Sequence, residues 1–268
     1  MNTQKSNHTV STFVVAVFAL AGFVPTGIAS LVTLQQPTAT FSQNFGGANY
    51  SVSKAIDGIT NDDRGWAVAP DPFTSTIPSQ TAVFETSVDV GFVSGSLITF
   101  SILQAHSNPG HNLGRFRLSV TTDNRSLFAD GLDNGGDVTA NWTVLNPSGF
   151  VSANGATLTK LGDFSILASG ANPSPDTYTI TAPTTLTGIT GIRLEALEDP
   201  SLPYNGPGRF GENGNFVVSE LTMDIAAVPE PSSIALLAIG EGSGTAGPED
   251  GSYQSFVAAA PLSMRTAA

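Results

Sequence analysis

The feature that most constrains the fold is the two-residue alternation of apolar and polar side chains in short segments. Between residues 115 and 121, Phe116, Leu118 and Val120 fall on one side of an extended chain and polar residues on the other. Comparable strand-like segments are 81–86, 97–103, 177–181, 191–197 and 215–221. A period of two places one face of a strand in a core and the other in water. Since no helical period longer than two turns occurs between 31 and 226, we expect an all-β fold, an antiparallel β-sandwich.

The composition supports many short strands joined by turns, without covalent cross-links. The 268 residues include 28 Gly and 17 Pro, and only 12% of residues are charged. Gly and Pro favour tight turns. The chain has no Cys, which excludes disulfides, thiolate nucleophiles and zinc–thiolate sites. The stability of the fold must therefore come from its core.

Residues 129–140 are the best candidate for an internal boundary. They are polar and rich in Gly and Asp, with few apolar anchors. We expect a linker or a long loop here, between a first β-sandwich part at 31–128 and a second part at 141–226. The sequence leaves open whether these parts form one large module or two small packed modules.

The first thirty residues have the layout of a secretory signal peptide. Lys5 supplies a positive start, residues 13–24 are apolar, and small residues near 29–30 offer a cleavage site. An apolar run of about 12 residues is too short to cross a bilayer as a helix. We therefore predict that residues 1–30 are a signal peptide and that the protein is exported, to the extracellular space or the cell surface.

The charge balance narrows the range of partners. Ten Lys and Arg against 22 Asp and Glu give a net charge of −12. Nucleic-acid binding depends on clustered basic side chains, which this chain does not have. We therefore expect no nucleic-acid partner.

Residues 227–239 resemble the start of the bacterial PEP-CTERM sorting signal, through the motif Val228-Pro229-Glu230-Pro231-Ser232-Ser233 and the apolar run that follows. The resemblance implies export and processing by an exosortase. The run at 234–239 is far shorter than the ~20 residues of a spanning helix, so the signal is truncated and we expect no stable membrane span in the mature chain. Exosortase processing is not expected, and residues 240–268 are predicted to be a disordered tail. A frameshift inside the signal and a motif that persists without function both stay open.

Other segments resemble the discoidin, or coagulation factor 5/8 type C, module. They are residues 39–43, 54–58, 65–67 and 114–122. Over most of 36–225 the chain is also similar to modules of planctomycete secreted proteins, through 111–119, 206–209 and 213–220. The resemblance implies a galactose-binding-like jelly-roll sandwich. It also implies that loops at one end bind glycans, lipid head groups or proteins, often beside a structural calcium ion.

Four residues are candidates for ligand binding: Trp66, Tyr204, Arg209 and His111. The Trp66 ring suits the face of a sugar, although core packing is the stronger alternative. Tyr204 and Arg209 lie in a Gly- and Pro-rich loop, and a guanidinium suits sugar hydroxyls or carboxylates as well as cross-strand acids. His111 follows a turn that begins near His106.

Asp57, Asn61, Asp62 and Asp63 are the candidates for a metal site, with calcium as the candidate cofactor. Calcium takes six to eight oxygen ligands, which closely spaced Asp and Asn can supply. The spacing is not that of an EF-hand loop. The stronger alternative is a turn in which these side chains cap their own backbone amides.

No nucleophile elbow, P-loop or dinucleotide-binding motif occurs in the sequence, so we do not expect an enzyme. The predicted function is non-catalytic binding of carbohydrate or an extracellular-matrix component. One alternative is a structural or adhesive matrix protein without a defined small ligand. Another is a glycoside hydrolase-like enzyme, because the separation of two catalytic carboxylates is not visible in a sequence.

Overall fold

The computed structural model describes residues 28–45, 47–70 and 76–228. The signal peptide predicted for 1–30, the motif at 227–239 and the tail at 240–268 lie almost entirely outside these residues. Within the described ranges, no helix is long and apolar enough to cross a membrane.

Short alternating segments of the sequence form strands. In chain order the strands are β1 (Ser30–Val32), β2 (Leu34–Ala39), β3 (Trp66–Ala67), β4 (Gln80–Val90), β5 (Ser96–Gln104), β6 (Arg115–Thr121), β7 (Thr143–Val144), β8 (Gly149–Ser152), β9 (Ala156–Lys160), β10 (Ile166–Gly170), β11 (Asp176–Thr184), β12 (Ile189–Ala196), β13 (Val217–Val218) and β14 (Glu220–Ala227). The described helices are short 3₁₀ segments at Gly47–Tyr50, Val52–Ile56, Arg125–Leu127 and Pro203–Asn205.

Two antiparallel sheets make up the body of the molecule. The first has the strand order β1-β14-β5-β11-β8, and the second has the order β2-β4-β12-β6-β10-β9, with β7 paired to β6. The short strands β3 and β13 form a separate pair. Every ladder in the described residues is antiparallel. The prediction of an all-β antiparallel sandwich is confirmed.

Strands from both sides of residues 129–140 share the same sheets. Strand β12 lies between β4 and β6, and β11 lies beside β5. The described residues therefore form one large sandwich, the first of the two alternatives that the sequence left open. Residues 129–140 contain no strand. Phe128 and Ala129, at the start of this segment, pack against Val83 in a small apolar cluster, and Val138 and Trp142 lie at its edge.

The alternation in the sequence produces the core between the sheets. In β5, Ile98, Phe100 and Ile102 are fully buried, whereas the residues between them are partly exposed. Phe116 of the second sheet stacks on Tyr178 of the first, with ring centroids 5.9 Å apart. Close packing of this kind makes a rigid scaffold for the loops at its ends.

The two ends of the sandwich differ in the length of their connections. Strand register places Gln104 beside Asp176 at one end and Ser96 beside Thr184 at the other. We call the first the loop end, because residues 40–70, 105–114, 171–175 and 197–219 gather there. We call the second the turn end, where short turns at 91–95 and 185–188 join strands and the longer segment 122–142 leaves β6 and returns to β7.

Candidate functional site

The loop end contains a cleft of about 380 Å³ beside the end of β10. We call it the Arg209 cleft. Among its lining residues are Ser169, Gly170, Asn172, Ser201, Pro203 and Arg209. Of the four predicted binding residues, Arg209 therefore lines this concave site. The volume lies within the usual range of small-ligand pockets.

The Arg209 side chain is held by the backbone on the opposite wall of the cleft. Its Nη1 donates to the carbonyl oxygen of Ala171 and its Nη2 to that of Gly170, both at 2.8 Å. The guanidinium also lies beside the buried Tyr178 hydroxyl, where it opposes the rise in the tyrosine pKa that burial causes. The guanidinium is therefore oriented before any ligand arrives.

The backbone of Arg209 is fixed just as closely. Its N–H donates to the Asn112 carbonyl oxygen at 2.8 Å, and its carbonyl oxygen accepts from Asn172 Nδ2 at 3.2 Å. Gly208 passes so near Asn215 that an added Cβ would lie 2.1 Å from the Asn215 carbonyl oxygen. A glycine is required for this approach, and it sets the path of the chain into Arg209.

Two serine hydroxyls, those of Ser169 and Ser201, are part of the lining, together with the apolar Ala168 and Leu202. The backbone N–H and the hydroxyl of Ser201 both donate to Asp199 Oδ1, at 2.9 and 2.6 Å. Arg115 lies 3.5 Å from the same carboxylate and pairs with it. Ser169 Oγ makes only a long contact, 3.4 Å, to the Thr157 carbonyl oxygen. Both serine oxygens keep acceptor capacity toward the cleft.

Tyr204 lies on the loop that borders the cleft but does not line it. It follows Pro203, which does, and the tyrosine is 50% exposed. Its backbone has a φ of +53°, which is uncommon for a residue other than glycine. An exposed aromatic ring at the rim of a polar cleft suits the C–H face of a sugar.

His111 is not in the cleft. The side chain is buried, its ring stacks on Phe210 with centroids 3.8 Å apart, and His106 lies 4.6 Å away. Burial lowers the pKa of His111 to about 4, with a smaller contribution from His106 in the same direction. The direct ligand contact expected from the sequence is therefore not supported. The histidine is a neutral packing residue that anchors Phe210, the neighbour of Arg209.

Trp66 is a core residue, in agreement with core packing as the stronger of its two alternatives. It is fully buried, its Nε1 donates to the Phe41 carbonyl oxygen at 3.0 Å, and its ring meets Phe216 edge-on at 5.2 Å. No face of the ring is open to a sugar. Trp66 is therefore removed from the candidate binding residues.

The predicted metal residues do not converge on one point. Asp62 pairs with Arg64, whereas both carboxylate oxygens of Asp63 accept from Ser107 at 2.8 Å. These bonds lower the pKa of Asp62 and of Asp63. Asp57 accepts from the Ile59 N–H two residues ahead. In the described ranges, no three His, Cys, Asp or Glu side chains are grouped to hold a metal. Asp57, Asn61, Asp62 and Asp63 thus do not fit a single calcium site.

Glu220 was not a candidate in the sequence, yet it lies against this loop. Its Oε2 accepts from the Gly58 N–H at 3.0 Å. We call Asp57, Gly58 and Glu220 the Glu220 corner. Burial raises the pKa of Glu220 to about 7, and the nearby Asp57 carboxylate raises it further. No sequence signal links Gly58 to a residue at the start of β14.

A larger hollow of about 580 Å³ lies at the turn end. Its lining includes Thr143, Leu145, Pro183 and Leu186 but no charged side chain. Its polar side chains, which include Ser94, Asn146 and Thr184, are uncharged, whereas the Arg209 cleft holds a fixed guanidinium that can orient a polar ligand. We therefore place the candidate site at the Arg209 cleft.

Comparison with known proteins gives few matches. No family model matches the chain, and no curated protein matches it. Among solved structures, it is similar to the family 32 carbohydrate-binding module of C. perfringens NanJ in complex with galactose, at 13% identity and a TM-score of 0.40, over 74% of this chain and 99% of that one. It is also similar to a structure from the Streptococcus pneumoniae beta-galactosidase BgaA, at 12% identity and a TM-score of 0.43, over 72% and 96%.

Proposed function

We propose that this protein is a non-catalytic carbohydrate-binding module that holds a sugar in the Arg209 cleft. The observation that carries the proposal is a pre-oriented guanidinium in a hydroxyl-lined cleft of about 380 Å³ on the loops of a rigid sandwich. Small-ligand sites combine such concavity with a few well-placed polar groups.

Each group in and around the cleft has a part in this function. The N–H groups of Arg209 not used for Gly170 and Ala171 donate to the ligand, and the Ser169 and Ser201 oxygens accept from its hydroxyls. Tyr204 covers the apolar face of the ring. Because these groups are held in place before binding, little conformational entropy is lost when the ligand arrives.

The proposal includes action outside the cell, on a glycan or an extracellular-matrix component. It is supported by the signal peptide predicted at 1–30, a segment that lies almost wholly outside the described residues. Export brings a sugar-binding module to the compartment where its ligands are exposed.

A titration with galactose, followed by a glycan array, tests the proposal. We expect Ser201→Ala and Tyr204→Ala each to weaken binding by about three- to tenfold, which corresponds to the loss of one polar or stacking contact. The matched control is Phe92→Ala, since Phe92 is 38% exposed and lies at the turn end; it should bind like the parent.

Two other outcomes would favour the alternatives. No binding to any glycan, together with concentration-dependent self-association, favours a structural or adhesive protein. Turnover of a polysaccharide that a single Asp or Glu substitution abolishes favours a hydrolase.

For calcium, we propose that Asp57 and Glu220 supply the carboxylates. Both approach Gly58, and Glu220 has no ion pair with any Lys or Arg in the part of the chain that the structure describes. Lys54 lies 3.4 Å from Asp57 and would have to turn away. Carboxylate oxygens are the hard ligands that calcium prefers, and calcium would need further oxygen ligands beside these two side chains to reach six to eight.

A melting experiment with calcium and with a chelator tests this second proposal. A ligand that binds only the folded state raises the melting temperature. We expect calcium to raise it in the parent and in the control Asp63→Asn, but not in Glu220→Gln. Equal melting temperatures of the parent with calcium and with chelator would refute the proposal.

A further inference from the structure

The charge pattern of the cleft specifies its ligand more closely. Building on the proposed function, we propose that the Arg209 cleft takes an acidic sugar, whose carboxylate or sulfate group meets the Arg209 guanidinium. A neutral sugar of the same shape is then the weaker ligand.

The first observation concerns how the other basic side chains are paired. Each Lys and Arg in the described ranges, other than Arg209 and Lys160, forms an ion pair with an Asp or Glu. The pairs are Lys54–Asp57, Arg64–Asp62, Arg115–Asp163, Arg115–Asp199, Arg117–Glu195, Arg117–Asp163, Arg125–Asp89 and Arg193–Glu195. Acidic residues outnumber basic ones by 22 to 10 in the whole chain. Among the residues that the structure describes, a guanidinium without a carboxylate partner is therefore an exception.

The second observation is that the described partners of Arg209 are uncharged. The carbonyl oxygens of Gly170 and Ala171 and the Tyr178 hydroxyl orient the guanidinium without neutralising it. A guanidinium has five N–H donors in a fixed fork, so donors are left for a ligand. Its positive charge is thus retained inside a concave site.

Lys160 shows why the position of the charge matters. Its Nζ donates to Asn146 Oδ1 at 2.8 Å and to the Pro147 carbonyl oxygen at 2.9 Å, and it lies at the end of the outermost strand β9. Lys160 does not line the cleft. Like Arg209 it has no ion pair among the described residues, but it lies outside the cleft, which makes it a matched control.

The physical preference follows from hydrogen-bond strength. Hydrogen bonds between a guanidinium and an anionic oxygen are roughly twice as strong as neutral ones, and two can form in parallel. At a partly exposed site the net gain is about 1 kcal/mol, or about fivefold in affinity. Salt should reduce that gain, because it screens the charges.

The test compares three sugars that differ at one position: galactose, galacturonate and galactose 6-sulfate. Affinities are measured calorimetrically for the full chain at about 0.02 M and about 0.15 M NaCl. We expect at least one of the two anionic sugars to bind about fivefold or more tighter than galactose at low salt, with a smaller difference at higher salt. The tighter anionic sugar tells whether a carboxylate or a sulfate is preferred.

Variants locate the effect. Arg209→Gln should abolish the preference for the anionic sugar, whereas Lys160→Gln should leave it intact. If Arg209→Gln does not fold, Arg209→Lys takes its place. It keeps the charge but not the planar fork, so it should reduce the preference for the anionic sugar. The parent protein gives an independent test, because its preference should shrink at higher salt. Galactose binding as tightly as both anionic sugars overturns this inference and leaves the proposed function standing. Absence of binding by all three sugars and by a glycan array overturns both.

Discussion

The Arg209 cleft and the Glu220 corner are both on the loop end, yet they carry opposite unbalanced charges. The cleft holds a guanidinium bonded only to neutral groups, and the corner holds a half-buried carboxylate whose described donor is one backbone N–H. The lining of the cleft includes the hydroxyls of Ser169 and Ser201, and Tyr204 borders it, whereas the corner brings Asp57 beside Glu220 at the start of β14. This difference underlies the two proposals, an anionic organic ligand for the cleft and a metal cation for the corner.

The same contrast extends to the response of each region to pH. Beside the cleft, burial keeps His111 neutral, so lowering the pH decreases the stability of the folded state. In the corner, burial keeps Glu220 protonated to a higher pH than usual, so lowering the pH increases the stability of the folded state. Two loop regions of one sandwich should therefore be separable by their opposite pH dependence.

The largest effect should come from Trp66, which supports the corner through the pairing of β3 with β13. Trp66→Ala should lower the free energy of unfolding by about 3–5 kcal/mol, because it removes a fully buried aromatic side chain. Urea denaturation measures this, with Val93→Ala as the control, expected to change stability by less than about 0.5 kcal/mol because Val93 is 97% exposed. A stable Trp66→Ala protein that loses sugar binding would restore Trp66 as a binding residue.

The next effect concerns the packing beside the cleft. Between pH 6.5 and about 4 the unfolded chain binds a proton at His111 that the folded chain does not, so stability falls as the pH is lowered through this range. We expect a loss of about 2 kcal/mol, and His111→Phe, which keeps a stacking ring, should remove that part of the pH dependence. Urea denaturation across this range is the measurement. An unchanged pH profile in His111→Phe would show that the His111 side chain is accessible to water and that folding does not lower its pKa.

A smaller effect of opposite sign belongs to the corner. Between pH 4.5 and about 7 the folded chain keeps a proton on Glu220 that the unfolded chain has lost, so stability falls as the pH rises. In chelator, Glu220→Gln should be more stable than the parent by about 1 kcal/mol at neutral to alkaline pH, a value reduced for solvent screening, and equal to it near pH 4. Destabilisation by Glu220→Gln at high pH would mean that the carboxylate has a favourable partner.

Much of the fold follows from local sequence. The alternation around Phe116, Leu118 and Val120 gives β6 its buried face. The core alternative for Trp66 rests instead on the resemblance to the discoidin module, in which this Trp is packed. One predicted strand, 215–221, is interrupted, because the Ser219 N–H donates to the Leu103 carbonyl oxygen and its hydroxyl accepts from Ala105. That break depends on β5 and has no local signal.

The candidate site was less predictable, for the same physical reason. Arg209 could be named as a binding residue, but its clamp on Ala171 joins residues 38 positions apart. The contact between Gly58 and Glu220 joins residues 162 positions apart. The acidic residues at 57–63 were assigned to one metal site because they are adjacent in sequence. In the structure, Asp62 is paired with Arg64 and Asp63 accepts from Ser107, and neither contact is visible in the local sequence.

Chemical-shift mapping of the ¹⁵N-labelled protein during titration with galacturonate decides whether the Arg209 cleft is the ligand site. We expect the largest shifts on the backbone amides of Ser169, Gly170 and Ser201 and on the Arg209 side chain, with none at Phe92 and Val93 of the turn end. Shifts confined to the turn end, or to the Glu220 corner, would contradict the assignment of the Arg209 cleft as the ligand site.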